Sequence, residues 1–286
     1  MDPQQFDKMF SQADSIMGPF AEELLRRANF PPEGNSRLVV LDQACGSGVV
    51  SSHLMSRLST ENKSRLDLTC ADISDAMISN VSRRVEVSGW NNVSVVKADA
   101  MDTKFPSSHF THIFFNFGPQ ILPNPLAGIQ ECHRILQPGG TLSCSTWQEV
   151  PWFADYRAGI ARDPSLPPFP SDEALRHAFS EAPERWDSIA DVKSHLKECG
   201  FCDVEAQVTE NTTTMTVAEV EAMLPYSLVM MIEKFWKNQG SLKTDEEFGQ
   251  AKESARRTIM DYVKEKYRSG PVVWKWVGIV AKGRKG

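Results

Sequence analysis

The stretch Arg37 to Gly48, RLVVLDQACGSG, narrows the fold more than any other part of the chain. Leu38, Val39, Val40 and Leu41 make a short apolar, largely β-branched run, the pattern of a strand buried on both faces. The run ends at Asp42, Gly46 and Gly48 follow, and a helical pattern begins at Val49 and continues to Leu58. A strand, a glycine-bearing turn and a helix start together suit a nucleotide-like ligand. Glycine lets backbone come close to a ligand, and the first helical turn offers unpaired N–H groups. The turn lacks the full spacing of the dinucleotide fingerprint and has no Gly-Lys-Ser/Thr of a phosphate loop. Glycines that merely make room in a βα turn are the competing account.

A chain of 286 residues with 41 % hydrophobic content can bury a large core and suits one α/β domain carrying an insertion. No apolar run approaches the roughly 18–20 residues of a membrane span, and the opening MDPQQFDKMF lacks the basic and apolar regions of a signal peptide. A cytoplasmic location with no membrane partner is therefore expected. The net charge of −6 argues against a nucleic-acid partner, which would want a basic face. Cys199 and Cys202 have CxxC spacing, but the other cysteines (Cys45, Cys70, Cys132 and Cys144) form no second ligand pair, so no metal site is expected. Reduced, mostly buried thiols fit a cytosolic chain.

Along the chain, Phe6, Met9, Phe10, Ala13, Ile16 and Met17 recur at helical spacing, and Gly18-Pro19 is expected to divide this helix from a second one, Phe20 to Ala28. Leu66 to Ala71 reads as a second strand ending in Asp72, at the spacing of a carboxylate that accepts ribose hydroxyls. Ser74 then caps a helix to about Val87, with Asp75 complementing its start, and Ile73 and Met77 could flank a purine. Val93 to Val96 is a third strand, followed by Asp99 and Ala100. Ile113 to Asn116 is a fourth, followed by Phe117-Gly118-Pro119. A helix over Pro125 to Leu136, a Pro138-Gly139-Gly140 turn and a strand from Thr141 to Trp147 come next. Residues 148–187 are proline-punctuated and less regular, with Trp152, Phe153 and Tyr156 near their start. A helix from Ile189 to Cys199 and a strand from Phe201 to Val208 follow. Thr216 with Glu219 reads as a capping box, opening two or three helices over 217–269 that split around Gly240-Ser241, and Val272 to Ala281 is the last strand.

Asp42-x-Ala44-Cys45-Gly46-Ser47-Gly48 resembles the first motif of class I S-adenosylmethionine-dependent methyltransferases, usually (Asp/Glu)-x-Gly-x-Gly-x-Gly, with Ala44 at the first glycine position. The run from Glu131 to Leu142 resembles the R-x-L-K-P-G-G signature of small-molecule methyltransferases such as the ubiquinone and menaquinone group. LDQACGSG, TCADISDAM, HIFFNFGPQIL and ILQPGGTLSCSTW are closer still to fungal methyltransferases of secondary metabolism, a group that includes the gliotoxin dithiol S-methyltransferases. The resemblance implies an α/β, Rossmann-like seven-stranded sheet of order 3-2-1-4-5-7-6 with the last strand antiparallel. Its implied cofactor is S-adenosyl-L-methionine, leaving as S-adenosyl-L-homocysteine, within reach of Asp42, Ala44, Cys45, Gly46, Gly48, Asp72, Ile73, Met77, Asp99, Ala100, Met101 and Asn116. In that family the Asp at position 99 accepts from adenine N6 and the next backbone N–H reaches N1, while Asn116 or nearby backbone holds the methionine moiety. Asn116-Phe117-Gly118-Pro119 departs from the (Asp/Asn)-Pro-Pro-aromatic of enzymes that methylate planar amides or exocyclic amines.

The expected organisation is a helical cover over 1–34, a cofactor-binding core over 35–216 and 270–286, and a helical lid over 217–269. Phe10, Met17, Phe20, Phe117, Trp147, Trp152, Met223 and Tyr226 are the candidate acceptor pocket. Methyl transfer from a sulfonium is an in-line displacement that needs positioning and dryness, and a base only when the acceptor is a weak acid. His53, His109, His112, His133, His177 and His195 all fall at packing or surface positions, with no His–Asp constellation expected, so no catalytic residue is named. An acceptor that brings its own reactivity is expected: a small thiol first, with O- or N-methylation, or cofactor binding without turnover, as alternatives.

Overall fold

The computed structural model describes residues 3–176, 184–228, 235–236, 242, 244–268 and 270–286, with residues 3–9 and 225–228 described by backbone alone. The strands are β1 (Leu38–Gln43), β2 (Leu66–Asp72), β3 (Val93–Lys97), β4 (Phe110–Phe115), β5 (Leu136–Glu149), β6 (Phe201–Met215) and β7 (Val272–Lys285). They pair in the order β3-β2-β1-β4-β5-β7-β6, as the resemblance implied. β1 to β5 are mutually parallel and β7 is antiparallel. Val40, Leu41, Ile113, Phe114 and Phe115 are fully buried, which is why β1 and β4 read as unbroken apolar runs. β1 lies between β2 and β4, so the strand order reverses there, and the gap beyond the carboxyl ends of β1 and β4 is where such sheets bind ligands.

The helices are α1 (Pro3–Arg27), α2 (Val49–Arg57), α3 (Thr60–Ser64), α4 (Asp75–Val87), α5 (Pro125–Ile135), α6 (Trp152–Ile160), α7 (Asp172–Arg176), α8 (Ile189–Glu198), α9 (Val217–Leu228) and α10 (Asp245–Tyr267). The caps fall where the sequence puts them. Ser74 accepts from Met77 N–H, and Thr216 and Glu219 cap each other reciprocally. Among the described residues no helix is long and apolar enough to cross a membrane.

The expected break at Gly18-Pro19 is not there. α1 runs through Pro19, because the Ser15 carbonyl that proline deprives of its N–H finds another donor. Asn211 Nδ2 donates to Ser15 O at 2.8 Å and to Ile16 O at 2.9 Å. The Pro138-Gly139-Gly140 turn is also absorbed. β5 starts at Leu136, and the three residues bulge out between Phe110↔Leu136 and His112↔Thr141. β6 extends beyond the expected Val208 to Met215. The split at Gly240-Ser241 and His177 lie outside the described residues.

The chain divides into two compact units. One comprises Met1–Gln148, Phe179–Asn211 and Val277–Gly286; the other comprises Glu149–Ala178 and Thr212–Trp276. The proline-rich segment read as irregular therefore supplies α6 and α7 to the same unit as α9 and α10. There, a Cβ on Gly159 would come 2.5 Å from Ile259 Cα, so α6 and α10 pack backbone to backbone.

Candidate active site

The loop between β1 and α2 is held in a left-handed path: Ala44, Gly46 and Gly48 have φ of 50°, 54° and 80°. Ala44 takes a conformation that costs a non-glycine residue about 1–2 kcal/mol, at the position where the related motif has glycine. The loop closes on itself through Gly48 N–H to Cys45 O at 2.8 Å and is anchored to β2 by Cys45 N–H to Ala71 O at 2.9 Å. A Cβ on Gly48 would press Val81 of α4 at 3.4 Å, whereas one on Gly46 would meet nothing within 4 Å. Gly46 is thus the point where the loop backbone faces open space.

Asp72 ties this loop to the end of β2. Its Oδ2 accepts from Gly46 N–H and its Oδ1 from Ser74 N–H, both at 2.9 Å. Each oxygen keeps a second lone pair, and the side chain is 9 % exposed. Beside it Ile73 is 62 % exposed, a large apolar side chain left uncovered at the carboxyl end of a strand. Met77 and Met101 are half-buried.

Asp42 is corrected by the structure. It was placed among the cofactor contacts, but at 1 % exposure it lies beneath the loop. Its Oδ2 accepts from Ser51 N–H at 3.0 Å and from Ser51 Oγ at 2.6 Å, so the carboxylate holds the first turn of α2 in place. Burial pushes this carboxyl up to about 7; the Ser51 hydroxyl and N–H pull it back, and the nearby Asp72 charge adds to the rise. Cys45 is likewise buried, and burial pushes its thiol far up, while its backbone is spent on Ala71 and Gly48.

The loop after β3 is fixed from three sides. Asp99 Oδ1 accepts from Met101 N–H at 2.9 Å, Gln43 Nε2 donates to Ala100 O at 3.3 Å, and buried Glu131 accepts from Thr103 N–H at 2.9 Å. Arg134 grips Glu131 and reaches Phe105 O at 2.8 Å. Neither Gln43 nor Glu131 stood out in the sequence as a supporting residue, although both lie inside the motifs quoted for the resemblance.

After β4, Asn116 Oδ1 accepts from Ser145 Oγ at 2.6 Å, and Ser145 Oγ in turn accepts from Phe117 N–H at 2.9 Å. Phe117 has φ of 53°, an outlier for a bulky side chain. Its ring stacks on Trp147 with centroids 3.6 Å apart, and Phe20 meets both rings edge-on. This trio corrects part of the expected acceptor pocket. Phe20 is 0 % and Phe117 5 % exposed because the three rings pack on one another, so these two are core, whereas Trp147 is half-buried. Met17 is half-buried on α1, and Phe10 lies instead over the Arg84 guanidinium of α4 at 3.2 Å. Trp152 and Met223 belong to the second unit, where Trp152 packs on Phe153 and Tyr156; the Tyr226 side chain lies outside the described residues.

The expectation of no His–Asp constellation also fails. His53 on α2 sits between Asp14 at Nε2 and Glu22 at Nδ1, each 2.7 Å away, and both partners come from α1. Burial works to lower its pKa, but the two carboxylates outweigh it and hold the ring above its ordinary value. A ring doubly paired in this way clips two helices together and is a poor base. His112 is buried against Phe30 and pushed down to about 4 by burial, while His109 and His133 pack edge-on to Phe110 and Phe201.

A β1 loop open at Gly46, an acidic residue closing β2, and an antiparallel β7 inserted beside β5 define the methyltransferase class of Rossmann-like folds. Residues 40–140 match a family described as a methyltransferase domain. The chain is 31 % identical over 281 residues to the methyltransferase tpcH of Aspergillus fumigatus, spanning 98 % of this chain and 96 % of the relative. It is 30 % identical over 263 residues to the acetylaranotin bis-thiomethyltransferase of Aspergillus terreus, spanning 92 % and 88 %. The solved YcgJ protein of Bacillus subtilis superposes with a TM-score of 0.53 at 14 % identity over 93 % of this chain and 97 % of that one, a likeness of fold. This chain belongs to the class I S-adenosylmethionine-dependent methyltransferases, within the group serving fungal secondary metabolism.

Proposed function

We propose that this methyltransferase transfers its methyl group to the sulfur of a small, fairly apolar thiol in a cytoplasmic setting. The observation that carries the cofactor half of the reading is the junction of Gly46, Asp72 and Ile73: open backbone, a carboxylate with spare lone pairs, and an uncovered apolar side chain. These residues fit S-adenosylmethionine. The open backbone at Gly46 would lie along its methionine end, Asp72 would take its ribose hydroxyls, Ile73 and Met77 the faces of its purine, and Asp99 with the Ala100 N–H the purine edge. When bound, its sulfonium supplies an electrophilic methyl group. The protein's part is then to orient, to exclude water and to keep the Asp99–Phe105 loop still through Gln43 and Glu131.

The sulfur half is supported by chemistry and by likeness. His53 is held between two carboxylates, His112 lies against Phe30, and His109, His133 and His195 pack on Phe110, Phe201 and Trp186, so none of the five described histidines is set as a base, and a thiol, with a pKa of about 8.5, needs the least help near neutrality. A relative covering most of the chain is a bis-thiomethyltransferase. Titration calorimetry with S-adenosylhomocysteine tests the cofactor site. Micromolar binding is expected in the wild type, weakened at least about tenfold in Asp72→Ala. Mass spectrometry of benzyl mercaptan incubated with enzyme and S-adenosylmethionine tests the acceptor. Methylation of oxygen or nitrogen probes in preference to this thiol would replace the S-methylation reading.

A further inference from the structure

The hydrogen bonds around Ser145 fix which way the Asn116 amide faces, and that orientation bears on the acceptor atom. Phe117 N–H can only donate, and it donates to Ser145 Oγ at 2.9 Å. Ser145 then has one hydrogen to give. The atom of Asn116 that meets it lies 2.6 Å away, the length of an O–H···O bond and short for N–H···O. Asn116 therefore turns Oδ1 toward Ser145, and its NH₂ group is the end left to face the site.

The placement makes this more than a satisfied side chain. Asn116 directly follows β4, which pairs with β1, so it stands at the carboxyl-end gap where the strand order reverses. The next residue, Phe117, is held in the left-handed region by the same hydroxyl and by the stack on Trp147. Strain of this kind persists only where the surroundings over-determine it, and it marks places where geometry matters to function. Ser143 and Ser145 are both buried on β5, but Ser143 donates its one proton to backbone, Leu24 O at 3.1 Å with Ala281 O farther off at 3.4 Å, whereas Ser145 is spent on Asn116 and Phe117.

Resting on the proposed transfer to a small molecule, we infer that Asn116, oriented by Ser145, presents N–H donors to the acceptor atom and so selects an anionic sulfur or oxygen nucleophile over an amine. An amine that attacks has its lone pair on the methyl carbon and only N–H groups to turn toward Asn116, so donor faces donor. A thiolate or phenolate has further lone pairs that accept. Such donors also favour the charged form of the bound nucleophile, which lowers its pKa in the site. The thiol proton leaves to solvent, and the thiolate sulfur forms the new S–C bond to the methyl carbon. The sulfonium S–C bond breaks as this happens, its electron pair returning to the cofactor sulfur. Asn116 is the specificity-determining residue and Ser145 its positioning residue.

The test uses the full chain with S-adenosylmethionine and three probes of similar size: benzyl mercaptan, p-cresol and benzylamine. Turnover of the thiol or the cresol, with benzylamine at least about 100-fold slower in kcat/KM, is expected. Asn116→Asp keeps the shape but replaces the donors with an acceptor. Its kcat/KM on the thiol should fall about 100-fold, and the acid limb of its kcat–pH profile, where the bound thiol loses its proton, should move up by about one unit. Its affinity for S-adenosylhomocysteine should stay within about threefold. Ser145→Ala should lower kcat on the thiol about tenfold with KM little changed, and Ser145→Thr, which keeps the hydroxyl, should recover most of it. Turnover of p-cresol but not the thiol would retire the S-methylation reading and leave this inference standing. A preference for benzylamine would overturn the inference, as would unchanged thiol turnover in Asn116→Asp. A loss of S-adenosylhomocysteine affinity as large as the loss of rate would do so too, by giving the amide to the cofactor.

Discussion

At the scale of single residues, the loops after β1 and β2 separate groups with open surroundings from those that hold the frame. Asp72 closes β2 and binds Gly46 N–H, with Ile73 exposed beside it, because a strand end and a helix start are adjacent in the chain and their geometry is local. Asp42 is the contrary case. The motif marks it as acidic, but its role is to cap α2 through Ser51 from a dry position. Its folded pKa of about 7 stands above the ordinary carboxylate value. The stabilising contribution of its proton is therefore fully present below about pH 4 and is lost as pH rises through 7, a change of up to about 4 kcal/mol. Asp42→Asn keeps an acceptor for Ser51 N–H and removes the titration. Urea midpoints measured at pH 5 and pH 8 should differ less in Asp42→Asn than in the wild type; equal pH slopes in the two proteins would show that Asp42 does not titrate in this window.

At the scale of elements, α1 shows how a local rule is overridden. Proline inside a helix removes one hydrogen bond and strains the preceding turn, at a cost of about 3 kcal/mol. Here Asn211 of β6 reaches the exposed carbonyls of Ser15 and Ile16, and the helix continues. No window of sequence around Gly18-Pro19 contains that partner. The same helix is clipped to α2 by His53, with Asp14 and Glu22 facing it from α1 and Arg57 sharing Glu22 at 2.9 Å. Since His53 has a raised folded pKa, the clip is at full strength below about pH 6.5 and is lost as pH rises through the higher folded value. Hydrogen exchange of α1 amides, corrected for intrinsic rate, should lose about fivefold in protection from pH 6 to 9, or about 1 kcal/mol. His53→Gln should show no such step, and a step of equal size in that variant would assign it to another group.

At the scale of the whole molecule, each unit carries its own polar anchor. The second unit is organised on Asp155 of α6, a buried carboxylate that accepts from Lys266 Nζ at 2.6 Å, Tyr267 Oη at 2.9 Å and Trp274 Nε1 at 3.0 Å. These bonds join α6, the end of α10 and the start of β7. Burial of Lys266 works against its charge, but the bond to Asp155 wins and raises its pKa, so this lysine stays protonated. Truncating the acceptor leaves three donors without their partner, one of them on buried Trp274. Asp155→Ala should lose about 2–4 kcal/mol, read as a lower urea midpoint by tryptophan fluorescence. A loss under about 0.5 kcal/mol would mean that water replaces the carboxylate without cost.

The amino-acid sequence by itself determined the seven strands, the helices α2, α4, α5 and α8, the glycine-bearing turn after β1, the caps at Ser74 and Thr216, and the family, because each is written in residues that are near neighbours in the chain. Only the tertiary structure decided that α1 survives Pro19, that Phe20 and Phe117 are sealed core, that His53 is a clip, and that Ser145 orients Asn116. Those outcomes depend on Asn211, Trp147, Asp14 and Ser145, each 25 or more positions away from the residue it governs. A side chain's periodicity tells which face it lies on, but its partner is set by where the sheet brings distant strands and helices together. The reach of a hydrogen bond is about 3 Å, and no spacing along the chain encodes it.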